Sequence, residues 1–318
     1  MGDILTYRIP QQEIIQLAGE FIEVKEFDEF SCFIVSSFNK KEKYQFVEKA
    51  TSEDFSFSDV NPTCYTQSEY NQLASDFLKE LRAQNLSKAI FSRIKVVEFE
   101  INPSDFFNQL CVAYPNAFVS LISSPLFGTW VGASPEILVK SKGEVAETIS
   151  LAGTLKRDSS ETWQTKEHEE QNHVTAFIES KLRASKVVNL KISDLQEVNA
   201  GPVRHLKTSF QFGLGTNSTI EIAEKLHPTP AVSGLPQKEA LEVIEQIEQH
   251  DRKIYAGIIG VIGKDSTHLY VNLRCAEIIH HNAYLYLGGG YTKDSIVNSE
   301  WEETENKANT LLNVMKKQ

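Results

Sequence analysis

Short alternating apolar segments recur along the chain without the regular strand–helix–strand rhythm that a parallel sheet requires. FIEVKEF (21–27), SCFIVSSF (31–38) and KYQFV (43–47) come first. AFVSLIS (117–123), TWVGAS (129–134), EILVK (136–140) and VAETISL (145–151) follow one another with no helical pattern between them. IYAGIIGVIG (254–263), HLYVNLRCAEII (268–279) and AYLYL (283–287) form a third run, while KAIFSRIKVVEFE (88–100) and KTSFQFGL (207–214) stand between helices. Helical spacing follows a capping box at Thr66 and Glu69, follows Pro103, covers 162–183 and 218–226, and resumes after Pro236. This pattern predicts an α+β fold with large antiparallel sheets. No stretch has the composition of a linker, so residues 1–318 read as a single domain.

A formal net charge of −11 argues against general nucleic-acid or anionic-membrane binding. An anionic ligand would need local cations. The four cysteines have no metal-site spacing, and the N-terminal residues lack the basic and apolar regions of a signal peptide. No apolar run approaches the roughly 18 residues of a membrane span. The expectation is a soluble cytoplasmic protein, a monomer, with a small molecule as its partner.

Chemistry concentrates first in GGGYTKDSIVNSEWEETENK (288–307), between a strand and a helix. The glycines predict a turn whose bare N–H groups face an anion, and Ser299 a helix cap. Glu300 and Glu303 share a helix face with Lys307. Glu167 and Glu170 repeat that spacing in TKEHEEQNHV (165–174). Two such helices could supply the oxygen donors of a Mg²⁺ site, although a solvated acidic face would explain either pair alone. His168 and His173 are five residues apart, so HEEQNH is not the HExxH zinc pattern.

Lys88 opens an apolar strand, and Glu136 follows a Ser-Pro turn in GASPE. If buried, the lysine could act as a base and the glutamate could keep its proton and act as an acid. Arg274 interrupts an apolar strand and wants a carboxylate, from the protein or from a substrate. Gly153 and Thr154 offer an N–H and a hydroxyl after a strand, and a stiff loop, HPTPAVSGLP, presents His227.

In this order KAIFSR, GASPE, LAGT, the 166–170 acidic helix, LHPTPAVSGLP, YAG, LRCAE, GGG and EWEETENK resemble the chorismate-utilising enzymes, isochorismate synthases most closely. The matched stretches run from about residue 85 to the end; residues 1–84 read as a shortened front of the same domain. The resemblance implies two large antiparallel sheets packed together with helices outside, chorismate as substrate and Mg²⁺ as cofactor. It casts Lys88 as the base that activates water and Glu136 as the acid for the departing hydroxyl. It casts Glu170 and Glu303 as direct metal ligands, supported through water by Glu167 and Glu300. Arg274, Gly288, Gly290 and Lys307 would hold carboxylates, and Gly153, Thr154, His227 and Tyr255 would surround the ring.

Ala152 stands where aminodeoxychorismate synthases carry a nucleophilic lysine, and anthranilate synthases lack the lysine that Lys88 represents. The implied reaction is the reversible conversion of chorismate to isochorismate. A salicylate synthase, or a catalytically silent homologue binding a small dianion, are the alternatives. GGGYT replaces the family's GAGIV, so Tyr291 and Thr292 are expected to reshape the pocket, and Gln171 replaces a frequent histidine.

Overall fold

The computed structural model describes residues 2–28, 32–50, 54–156, 162–200 and 203–316. Strands β1 (Asp3–Arg8), β2 (Ile14–Glu23), β3 (Cys32–Ser36) and β4 (Lys43–Glu48) precede helix α1 (Gln67–Ala83). β5 (Lys88–Glu98) and α2 (Pro103–Ala113) lead into β6 (Phe118–Ser124), β7 (Gly128–Ser134), β8 (Ile137–Lys142) and β9 (Val145–Lys156). After α3 (Thr165–Ala184) come β10 (Val188–Ile192), β11 (Gln196–Ala200) and β12 (Val203–Gly213). α4 (Thr219–Leu226), the short β13 (Gly234–Leu235) and α5 (Gln237–Ile247) follow. The chain continues through β14 (Ile258–Ile262), β15 (Ser266–Val271), β16 (Cys275–Ile279) and β17 (Asn282–Tyr291) to α6 (Val297–Met315).

All described pairings are antiparallel, and they join the strands into one hydrogen-bonded ribbon. Its order is β13–β5–β17–β16–β7–β6–β1–β2–β4–β3–β14–β15–β8–β9–β12, with β10 and β11 sharing the outer edge of β12. The ribbon doubles back on itself. Phe118 of β6 stacks on Tyr270 of β15 with ring centroids 4.5 Å apart, although many strands separate them along the ribbon. The two halves are thus packed layers, and their facing side chains form the largest core, with Phe33, Trp130, Val139 and Phe210 among its members. A second core lies under α2 and α6, and a third under α1 and α5.

Several local expectations change. β1, β10 and β11 were not legible as strands; β10 is mostly exposed, so it carries no apolar alternation. The stretch 268–279 is two strands, broken where Arg274 takes a φ of 51°. Gly288, Gly289 and Gly290 form no turn: β17 runs through them, paired with Ser92, Phe91 and Ile90 of β5. Helix α6 begins two residues before Ser299, with Ile296 at its N-cap and no side-chain cap bond. The Thr66/Glu69 capping box of α1 forms as expected.

The end of α5 is pinned to β5 by a buried charge network. Arg252 donates to Glu248 through Nη2 (2.6 Å) and Nε (2.8 Å), and to the carbonyls of Val232 and Ile90. Glu248 also accepts the main-chain N–H of Ser92 at 2.6 Å, and both side chains are under 5% exposed. Glu248→Ala would strand the guanidinium in the interior. The expected cost is about 3–5 kcal/mol, read as a lower urea midpoint with an unchanged slope; a midpoint equal to the parent's would contradict it.

Candidate active site

The chain passes between the two layers at two adjacent places, between β7 and β8 and between β15 and β16. These crossings are bound to each other. The N–H of Val271 donates to Glu136 O (3.0 Å), Ser134 Oγ donates to Val271 O (2.5 Å), and the N–H of Ala133 donates to Arg274 O (3.0 Å). Glu136 and Arg274 therefore sit side by side at the point where the backbone leaves one sheet for the other. Lys88 arrives from the start of β5, Glu170 from α3, and Glu303 and Lys307 from α6.

Cations and carboxylates interlock here. Lys88 Nζ meets Glu170 Oε1 at 2.5 Å. Lys307 Nζ meets Glu303 Oε1 at 2.5 Å and donates to Gly288 O at 2.8 Å. Burial pushes the Glu136 carboxyl up to about 7, against the opposing pull of Lys88 and Arg274. Burial also lowers the Lys307 ammonium, with Glu303 opposing and Arg274 and Lys88 reinforcing the shift. The Arg274 guanidinium is lowered by burial too, and Tyr255, Glu303 and Glu136 are the main groups that counter this. These mutual influences bring Lys88, Glu136, Tyr255, Arg274, Glu303 and Lys307 into one cluster. Three cations beside a carboxyl able to be neutral near pH 7 suit a ligand with two negative charges.

The glycines act by being small. A Cβ on Gly290 would stand 3.0 Å from Lys88 Cε, and one on Gly288 would stand 2.9 Å from Tyr255 Oη. At Gly289 the space is taken by Glu300 Oε2, 3.4 Å from where a Cβ would be. Gly153 has a φ of +65°, and a Cβ there would meet Glu167 Cβ at 3.2 Å. One residue of this neighbourhood was not singled out from the sequence: His205 of β12, whose Nδ1 lies 2.9 Å from Gly153 O. A lone histidine just ahead of the expected strand start carried no spacing signal. The side chain of Thr154 lies outside the described residues.

Two expectations are corrected. His227 is not placed with this cluster: its Nε2 bonds Phe38 O at 3.2 Å and it lines a separate cavity. At the end of α4 the imidazole meets that main-chain carbonyl through one nitrogen, and burial depresses its pKa to about 3. Tyr291 does not reshape the cleft. Strand alternation turns it away from Gly290 into the α1 core, where its hydroxyl meets that of Tyr70 at 3.0 Å. Gln171 is also structural, buried and donating to Ser150 Oγ at 2.9 Å.

The donor chemistry of the four glutamates, hard carboxylate oxygens, suits Mg²⁺. Glu170 and Glu303 are closed onto Lys88 and Lys307; Glu167 accepts the N–H of Gln164, and Glu300 accepts from Ser295 Oγ. Among the described residues no group of three or more His, Cys, Asp or Glu is gathered as a metal site.

Comparison with known proteins bears on this cleft. Isochorismate synthase EntC of Escherichia coli (strain K12) is 32% identical over 199 residues, covering 59% of this chain and 51% of that protein. The vibriobactin-specific isochorismate synthase of Vibrio cholerae serotype O1 is 29% identical over 260 residues, 77% of this chain and 66% of its own length. The chain thus spans about half of the former and two-thirds of the latter. In fold it resembles MenF, the menaquinone-specific isochorismate synthase from Escherichia coli, with TM-score 0.83 and 18% identity over 99% of this chain and 89% of that one. It also resembles anthranilate synthase component I from Streptococcus pneumoniae TIGR4, with TM-score 0.73 and 18% identity over 98% and 90%. The chorismate binding enzyme family model matches residues 22–316, taking in most of the front that the motifs leave unmatched, and the chain belongs to that family.

Proposed function

We propose that the protein interconverts chorismate and isochorismate. The observation that carries this reading is the buried Glu136 carboxyl, raised to about 7, in the same cluster as Lys88, Arg274 and Lys307. In this reaction Lys88 is the base that takes a proton from water as the water oxygen bonds to a ring carbon. The ring double bonds shift, and the departing hydroxyl leaves as water with the proton of Glu136. Electrons and atoms balance without an oxidant: one water adds, one leaves, and a proton passes from Glu136 to Lys88 overall. Arg274 and Lys307 hold the carboxylates, and Tyr255, Gly288 and Gly290 shape the wall against the ring. Glu170 and Glu303 would hold Mg²⁺, with Glu167 and Glu300 supporting it through water; when bound, the ion supplies electrostatic hold on a substrate carboxylate.

Incubation with chorismate and Mg²⁺, followed by chromatography, tests the reading. Isochorismate should approach a plateau reachable from either side, without pyruvate, and EDTA should abolish turnover. Salicylate with pyruvate would make the protein a lyase, and activity untouched by EDTA would remove the metal. Gly290→Ala gives a finer test, because its Cβ would press on the flexible end of Lys88. Thermal stability should hold while turnover falls roughly ten- to a hundredfold; full activity would show that the position of Lys88 is not critical.

A further inference from the structure

Ile90 follows Lys88 by two residues on β5, so the two side chains face the same side of the strand. The main chain of Ile90 bonds away from β17, toward the edge that β13 borders. Its N–H donates to Ser233 O (2.9 Å) and its carbonyl accepts from Arg252 Nη2 (2.9 Å). The N–H of Ser92 likewise goes to Glu248 at 2.6 Å. The pairs Ile90–Gly290 and Ser92–Gly288 are therefore of the non-hydrogen-bonded kind, in which facing residues come closest. With no side chain at either glycine, a trough opens along β17, and Ile90 leans across it. Its Cδ1 lies 3.5 Å from where a Gly290 Cβ would be, and Lys88 Nζ lies 3.6 Å from that same point. Its Cγ2 lies 3.2 Å from the Gly288 Cβ position, where Tyr255 Oη stands at 2.9 Å. One apolar side chain thus fills the space between the lysine and the tyrosine.

Ile90 is also set apart from the ordinary interior. It is 6% exposed, yet among the described residues it belongs to none of the three apolar cores. Ile94, on the same face of the same strand, is part of the largest. The bonds to Ser233 and to Arg252, itself held by Glu248, fix the strand at Ile90, so the main chain cannot slide to close a gap there. Lys88 needs such a neighbour. Its stem is long and flexible, and the contact with Glu170 restrains only the tip. We infer that Ile90 is the positioning residue for Lys88, the stop beside the lysine stem that aims the ammonium into the site. Its consequence for turnover rests on the reading of Lys88 as the base; the placement of the side chain does not.

Ile90→Val, which removes Cδ1 alone, tests it in the full chain with chorismate and Mg²⁺. The kcat for isochorismate should fall about five- to tenfold while KM stays within about twofold. Ile94→Val, the same truncation in the core, should lower the melting temperature and leave both constants unchanged. In Gly290→Ala the new Cβ enters the gap between Lys88 Cε and Ile90 Cδ1, and removing Cδ1 gives that carbon room. Ile90→Val should therefore raise the turnover of Gly290→Ala by about threefold or more, against the direction of its effect alone. Losses that multiply in the double variant, or a raised KM at unchanged kcat in Ile90→Val, would overturn the inference. Reductive methylation with isotope-labelled formaldehyde, followed by NMR, reads Lys88 without turnover, its resonance being assigned by its absence in Lys88→Ala. That resonance should move in Ile90→Val and stay in Ile94→Val. Movement in a protein that makes no isochorismate would keep the positioning role and remove the isomerase reading. An unmoved resonance in a protein that does make it would remove the positioning role.

Discussion

Lys88→Ala should fold, bind chorismate and fail to turn it over, with a loss of about a thousandfold or more. The lysine opens β5, whose pairing with β17 depends on main-chain groups that alanine retains. Its ion pair with Glu170 is a single contact at the rim of a cleft, so removing it should change stability by under ~1 kcal/mol. Lys88→Arg should not rescue, because a guanidinium does not surrender a proton at usable pH. Rapid-quench turnover and equilibrium binding on the same preparation separate the outcomes. Activity within a few-fold of the parent would remove water activation by Lys88. Lost binding would instead make it a substrate-holding cation.

Glu136→Gln should move activity and stability in opposite directions. Glutamine keeps the shape of the neutral acid but has no proton to give, so turnover should fall about a hundred- to a thousandfold. In the folded protein the Glu136 carboxyl is raised to about 7, above its unfolded value. Its contribution to stability is therefore complete below the unfolded pKa and is lost as pH rises through about 7. At pH 8 the parent buries a charge that the variant does not, and the variant should be more stable by about 1–3 kcal/mol. The parent's rate should decline above pH 7 for the same reason, since the acid form disappears. A variant less stable than the parent at pH 8 would show that Glu136 is hydrogen-bonded structure.

What the sequence disclosed follows from which properties are local. Lys88 at a strand start, Glu136 after a Ser-Pro turn and the paired glutamates on α3 and α6 depend on neighbours a few residues away, and each lies where its spacing predicts. The glycines were misread because their conformation is set by β5, nearly two hundred residues earlier; pairing with it makes them strand rather than turn. Arg274 looked like an insertion in one strand because a single positive φ leaves no mark on apolar alternation. The placement of His227 and His205 was hidden for a similar reason. That His205 reaches the Gly153 carbonyl is decided by the pairing of β12 with β9, and that His227 reaches Phe38 by the packing of the β3–β4 turn on the end of α4. Neither is written in the loop or strand that carries it.

The pairing of β5 with β17 also governs when this protein can become complete during synthesis. The neighbours of β5 are β17 and the two-residue β13, so its long edge waits while about 180 further residues are made. At bacterial or eukaryotic elongation rates that interval is roughly 10–40 s. Throughout it, an eleven-residue strand rich in Ile, Val and Phe presents unpaired main-chain groups. The nascent chain is therefore most open to misassociation at the strand that carries Lys88, and holding factors that shield strand edges should raise the yield more than those that only slow collapse.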